Sequence, residues 1–273
     1  MTLLCNKTIF ITGSTRGIGR EIALKCAADG ANVVITGKTS KPHPSLPGTL
    51  DSVAQEVIDA GGQALPLQLD VRDDNAIQQA IEQAVKHFGG LDILVNNASA
   101  ISLTNTLNTP MKRFDLMMGV NARATFACSQ AAIPFLKHAD NPHILNLAPP
   151  LKMESKWFKD FVAYTYSKFG MSVCTLGMSA ELKDDGIAVN SLWPKTTIDT
   201  AAVRVHFPPE ILRASRHPAI VADAAYAILT MNSRDHTGHF YIDEDVLREA
   251  GVTDFSHYSI DASVEPFCDL YVE

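Results

Sequence analysis

Short apolar runs alternate along this chain with longer stretches in which apolar residues recur every three or four positions. The runs at 9–11, 31–36, 65–71, 91–95, 143–147, 187–192 and 239–242 read as strands. Ile93-Leu94-Val95 and Val33-Val34-Ile35 carry no polar alternation, the pattern of a parallel strand buried on both faces. Between them, Ile22, Ala23 and Cys26 share one helical face, as do Ile77, Ile81, Val85 and Phe88. A further helical pattern passes through Val53, Val57 and Ile58. Another runs from the Thr109-Pro110 start signal to His138, interrupted at Gly119. A long helix opens at Tyr164 and passes through Met171, Thr175, Met178 and Leu182, and a last one covers 222–229. Alternation of this kind predicts α/β architecture: one domain over 1–273, a Rossmann-type doubly wound parallel sheet with helices on both faces.

Punctuation supports these boundaries. Gly30 closes the first helix, Gly61-Gly62 the next, and Asp73 or Asp74 caps the one after. The proline-rich stretch 41–48 is neither helix nor inner strand. Residues 195–209 show few regular signals and read as a mobile segment whose Ile198, Val203, Val205 and Phe207 form an apolar lid.

In such a fold, ligands lie beyond the carboxyl ends of the strands. The first strand runs into Thr12-Gly13-Ser14-Thr15-Arg16-Gly17-Ile18-Gly19 and then into a helix. Gly13 suits a tight turn, Gly17 lets backbone approach a pyrophosphate, and Gly19 lets helix and strand pack closely. Free N–H groups at the helix start then face the anion. The second strand ends without the acid that binds a ribose 2′-hydroxyl in many dinucleotide folds; Lys38 stands there instead. Arg16 and Lys38 either flank a 2′-phosphate, which favours NADP(H) over NAD(H), or are solvated surface charges. Asp70, read as the end of the third strand, either accepts a hydrogen bond from the adenine amino group or starts the next turn.

Composition narrows the partners. A net charge of -7 argues against nucleic acid, and no run is long and apolar enough to span a bilayer. Five scattered cysteines without a C-x-x-C pair read as reduced thiols, and nine histidines without a cluster read as no metal site. With no signal-peptide pattern at Met1-Thr2-Leu3-Leu4-Cys5, the expectation is a cytoplasmic protein.

Tyr164 and Lys168 form Y-x-x-x-K, which puts both side chains on one helix face. A nearby ammonium favours the phenolate, so Tyr164 can exchange a proton with a substrate oxygen. Together with T-G-x-x-x-G-I-G at 12–19, Asp70-Val71, Asn96-Asn97-Ala98, Asn121 and the Trp193-Pro194 turn, these residues come in one order along the chain. In that ordered set the sequence resembles the short-chain dehydrogenase/reductase family over nearly its full length. The resemblance narrows to one branch of it through the insert after Lys38 and through the stretches 147–151, 193–196, 222–226 and 251–255.

The resemblance implies roles. Tyr164 is the catalytic acid/base, and Lys168 holds the nicotinamide ribose and lowers the Tyr164 pKa. Asn121 fixes a water in a proton relay. Asn97, Ala98 and Ser99 line the cofactor ribose region; Pro194, Thr196 and Thr197 lie toward the nicotinamide end or its phosphates. It implies a small-molecule carbonyl or alcohol substrate and a homodimer or homotetramer. The pairing helices would be those around 121–138 and 168–182, where Ala124, Ala127, Ala131 and Ala132 suit close packing on a partner or on the sheet.

Two departures stand out. Where the family places a carbonyl-polarising serine, this chain has Ala148 and Pro149, neither of which can donate; Ser155 or Ser99 are the substitutes within reach of the reading. Lys195 follows Pro194 where the family usually has glycine, and either meets phosphate or an acidic substrate or points to water. The expected function is an NADP(H)-dependent oxidoreductase acting on a carbonyl/alcohol pair, with a hydrophobic substrate. The alternative is a cofactor-binding protein with little or no catalysis.

Overall fold

A computed structural model describes residues 3–41 and 47–273. Most of the proline-rich loop thus lies outside the described residues. The order along the chain is β1 (Thr8–Ile11), α1 (Gly17–Ala27), β2 (Asn32–Gly37), α2 (Leu50–Asp59), β3 (Gln63–Gln68) and α3 (Asp74–Phe88). Then come β4 (Ile93–Asn96), α4 (Met111–Met117), a π-helical turn (Met118–Arg123), α5 (Ala124–Leu136) and β5 (His143–Asn146). The remainder is α6 (Val162–Glu181), β6 (Ala188–Trp193), α7 (Ala201–His206), α8 (Pro209–Arg213), α9 (Ala219–Leu229), β7 (Phe240–Ile242) and α10 (Asp243–Glu249).

The strands form one parallel sheet in the order β3-β2-β1-β4-β5-β6-β7. Alternation along β1 builds two cores. Ile9 and Ile11 join Val33, Ile35 and the inner faces of α1, α2 and α9 on one side. Phe10 points the other way, with Val34 and Leu94 as its register partners, into the core shared with α3 and α5. Both faces are therefore apolar, which is why the strand sequences carry no polar alternation. The order reverses between β1 and β4, and their carboxyl ends open into a crevice there.

Several boundaries differ from the sequence expectation. β3 begins and ends earlier than 65–71: it pairs with β2 over Gln63–Gln68, so Asp70 and Val71 lie in the turn beyond it. As an edge strand it tolerates Pro66. Asp73, not Asp74, caps α3 by accepting the Ala76 N–H at 3.1 Å. The interruption at Gly119 is the π-helical turn. The segment read as irregular holds α7 and α8, with the Thr200 side chain capping α7 through the Val203 N–H. α10 follows β7 without a loop, a helix the periodicity did not reveal. Ala124, Ala131 and Ala132 are buried in the core shared with α3, and partly buried Ala127 packs against it. Among the described residues no helix is long and apolar enough to cross a membrane.

Candidate active site

The glycine turn is built from both sides of the crevice. Thr12 Oγ1 accepts the N–H groups of Asn97 and Ala98 at 2.9 and 3.0 Å. The Asn97 amide donates back to the carbonyls of Thr12 and Gly13, at 2.9 and 3.0 Å. Gly13 has φ +68°, and a Cβ there would meet the Ala98 backbone at 3.0 Å. A Cβ on Gly19 would sit 2.4 Å from Asn97 Nδ2 and 2.9 Å from Gly13 O. Gly19 thus serves the packing of α1 against the turn and does not line the cavity.

From this turn a cavity of about 540 Å³ runs along the strand ends to Tyr164 and Lys168. Of the residues expected at the site, Gly13, Thr15, Arg16, Gly17, Ile18, Lys38, Asp70, Val71, Asn97, Ala98, Ser99, Tyr164, Lys168, Pro194 and Thr197 line it. Two more expected residues do not. Thr196 is buried in a bridge with Cys268, and among the described residues its Oγ1 has no hydrogen-bond partner. Asn121, fully buried in the π-helical turn, receives the Ala100 N–H at 2.7 Å and donates to Ala100 O and Ser167 Oγ, each at 2.9 Å. Its side chain thus ties the segment after β4 to α6.

At the adenosine end, Arg16 Nη2 donates to Thr39 Oγ1 at 2.8 Å, while its buried Nε lacks a partner among the described residues. Lys38 is exposed, 3.8 Å from Asp70. Asp70 accepts a forked pair of bonds from Arg72, at 2.9 Å from Nε and 2.5 Å from Nη2, and this pairing holds its carboxyl down at about 2. Among the described residues, three cations here, Arg16, Lys38 and Arg72, face one ionised acid, Asp70, and leave this end positive. The unpartnered Arg16 Nε, the glycine cradle and this charge fit a phosphate-bearing ligand.

At the other end, Tyr164 is buried and its phenol is pushed well above the usual value, chiefly by burial. This reverses the expected lowering by Lys168. Lys168 is itself buried, donates to Leu147 O at 2.6 Å and lies over the Trp193 ring at 5.0 Å; burial pulls its ammonium down to about 7. Both groups are therefore biased toward neutrality.

The end of β5 contributes no donor: Ala148 is buried, and the Pro149 carbonyl accepts from Ser172 Oγ at 2.7 Å. Ser155 is exposed on a single 3₁₀ turn outside the cavity, whereas Ser99 lines it. Lys195 turns away and bonds to the Glu273 carbonyl. In the expected lid, Ile198, Val203 and Phe207 do line the cavity, while Val205 points to solvent.

Sequence reasoning missed the segment 267–272. Its Phe267 carbonyl accepts the Thr197 N–H at 2.9 Å, and the Leu270 carbonyl accepts Trp193 Nε1 at 2.8 Å. This brings Asp269 and Leu270 into the cavity wall. No periodicity or motif marks these positions; only the tertiary fold brings them there.

A family model for short chain dehydrogenase matches residues 7–209. The chain is 54% identical to hydroxysteroid dehydrogenase-like protein 2 of Xenopus tropicalis over 270 residues, which cover 99% of the chain and 64% of that protein. It is 54% identical to the Homo sapiens protein of the same name over 257 residues, 94% of the chain and 61% of that protein. The chain thus spans less than two thirds of the length of these relatives. A solved Xanthomonas campestris structure superposes with a TM-score of 0.96 at 49% identity, covering 99% of both chains. A short chain dehydrogenase of Mycobacterium thermoresistibile does so at 0.93 and 49%, covering 99% of this chain and 96% of that one.

Proposed function

This chain belongs to the short-chain dehydrogenase family, an oxidoreductase family that uses a nicotinamide dinucleotide, and from that premise we propose that it is NADP(H)-dependent and interconverts a carbonyl and a secondary alcohol. One observation carries the proposal: the glycine turn and the Tyr164–Lys168 pair open into one continuous cavity. Gly13, Thr15, Arg16, Gly17 and Ile18 hold the phosphate end, Asn97 braces that turn, and Lys168 and Thr197 line the opposite end. A bound nicotinamide dinucleotide supplies or takes the hydride. Tyr164 supplies the proton: its neutral phenol is the form that donates to a carbonyl oxygen, which suits the reductive direction. Lys168, tethered to Leu147 O, fixes the floor of the site. Ile101, Trp193 and Leu270, which line the cavity and pack in one apolar cluster with Tyr164, give the substrate end an apolar wall, in keeping with a hydrophobic, lipid-like substrate.

The preference for NADP(H) rests on Arg16 and Lys38. Both line the adenosine end, and Arg16 Nε has no partner among the described residues. A 2′-phosphate provides its acceptor. Exposed Phe126 on α5 and Val173 and Leu176 on α6 support a homodimer or homotetramer paired through these helices.

The second reading, a cofactor-binding redox sensor or scaffold, is favoured by one observation: Ala148 and Pro149 offer no donor to a carbonyl. Tyr164→Phe separates the two readings. The catalytic reading expects wild-type reduction of a carbonyl panel with NADPH, and a variant that keeps NADPH affinity but loses at least about 100-fold in kcat. A wild type that binds NADPH yet turns over no carbonyl compound favours the sensor.

A further inference from the structure

A carbonyl oxygen gathers negative charge as it is reduced, and a site with one donor stabilises it poorly. Tyr164 is one donor, and the end of β5 supplies none. Polar side chains of the cavity that stay outside the mechanism include Ser99, which follows the Asn97-Ala98 pair held at the glycine turn, and Asp269, which lies with Leu270 beside Trp193. The Asp269 backbone is clamped, with the N–H donating to Lys195 O at 3.1 Å and flanking hydrogen bonds at Phe267 and Leu270. Among the described residues its carboxylate receives one hydrogen bond, from Leu270 N–H to Oδ1 at 2.7 Å, and Oδ2 has none. The next carbonyl, of Leu270, accepts Trp193 Nε1 at 2.8 Å, and the Trp193 ring lies 5.0 Å from Lys168 Nζ, so Asp269 shares this end of the cavity with Lys168 and Tyr164. Lys168 Nζ is itself 2.6 Å from Leu147 O, one residue before Ala148. Asp269 therefore flanks the place where the missing donor would act.

We propose that the Asp269 carboxyl is the second hydrogen-bond donor of the site, holding the substrate carbonyl oxygen opposite the Tyr164 hydroxyl. It rests on the carbonyl–alcohol reading above. The role uses the protonated carboxyl, and burial raises this group to about 7. The groups that face it are Lys168 and Tyr164 from α6, Tyr271 on its own segment, and Lys195, whose ammonium is turned to Glu273. Asp269 keeps its proton throughout: the hydride goes to the carbonyl carbon from the reduced nicotinamide, and the proton on the product alcohol comes from Tyr164.

The test compares wild type, Asp269→Asn and Asp269→Ala with NADPH and 1-phenylpropane-1,2-dione as probe. NADPH affinity is followed by fluorescence, and the protonated-carboxyl band by infrared difference between pH 6 and 9. Asp269→Ala should lose at least about 100-fold in kcat/KM, the loss typical of one such donor, with NADPH affinity within threefold of wild type. Asp269→Asn keeps a donor, so it should retain activity within about tenfold and lose the decline in rate above neutral pH that wild type shows. The carboxyl band should shrink in both variants by the share of Asp269, leaving that of Asp243. Asp269→Ala turning over at the wild-type rate overturns the proposal, as does Asp269→Asn being as inactive as the alanine variant while binding NADPH. No turnover of the probe by wild type instead overturns the carbonyl reading on which this one stands.

Discussion

At the scale of single residues, the site is a set of groups held away from their ordinary charge states. Tyr164, Lys168 and Asp269 are each pushed toward neutrality by burial. On the proposed function a phenol in that state is the proton donor, so removing its hydroxyl is expected to take away turnover and leave binding. The Tyr164→Phe comparison of turnover with NADPH affinity tests this. The pair was legible in the sequence because Y-x-x-x-K spacing on a helix guarantees a shared face. Its protonation was not, because the sign of a pKa shift depends on whether burial or a nearby charge wins, and burial is a property of the fold. Asp269 was not legible at all, since it reaches the cavity through pairing with residues some seventy positions earlier, such as Thr197.

At the scale of elements, the glycine turn and the π-helical turn do comparable jobs. Each is tied to the segment after β4 by an asparagine amide, Asn97 at the glycine turn and Asn121 within the π-helical turn. Asn121 shows what the π-helical turn is for: it points an amide at Ala100 and Ser167. Asn121→Ala would orphan these buried groups, each worth about 1–3 kcal/mol. Chemical denaturation should show at least about 2 kcal/mol lost, with the segment after β4 loosened; an unchanged midpoint would contradict this structural role. The interruption at Gly119 was legible as a break, but its form was not, because periodicity registers a lost phase and not which hydrogen bonds replace the regular ones. The edge position of β3 explains why its boundary was misread: one flank has no strand to enforce pairing.

For the whole molecule, the alternation of strand and helix was readable because a parallel sheet covered on both faces demands apolar strands and amphipathic helices. Stability carries its own pH signature. His143 opens β5, is buried, bonds to the Met231 carbonyl at 3.1 Å, and is pulled down to about 4, mainly by burial. The unfolded chain binds this proton near pH 6.5, so stability from His143 is complete above that and is lost as the pH falls toward 4. By pH 5 the loss should be about 2 kcal/mol. Asp243 and Asp269, both raised to about 7, work in the opposite direction over this range. The measurement is therefore the difference between wild type and His143→Gln at pH 7 and pH 5, and equal pH dependence in the two proteins would contradict it. The central claim is that the cavity is a dinucleotide site tuned to a 2′-phosphate. Fluorescence titration with NADPH and with NADH, wild type against Lys38→Asp, tests it most directly. The account predicts tight NADPH binding that weakens at least about tenfold in the variant, about 1.4 kcal/mol, while NADH binding holds or improves. A wild type that prefers NADH, or binds neither, would contradict it.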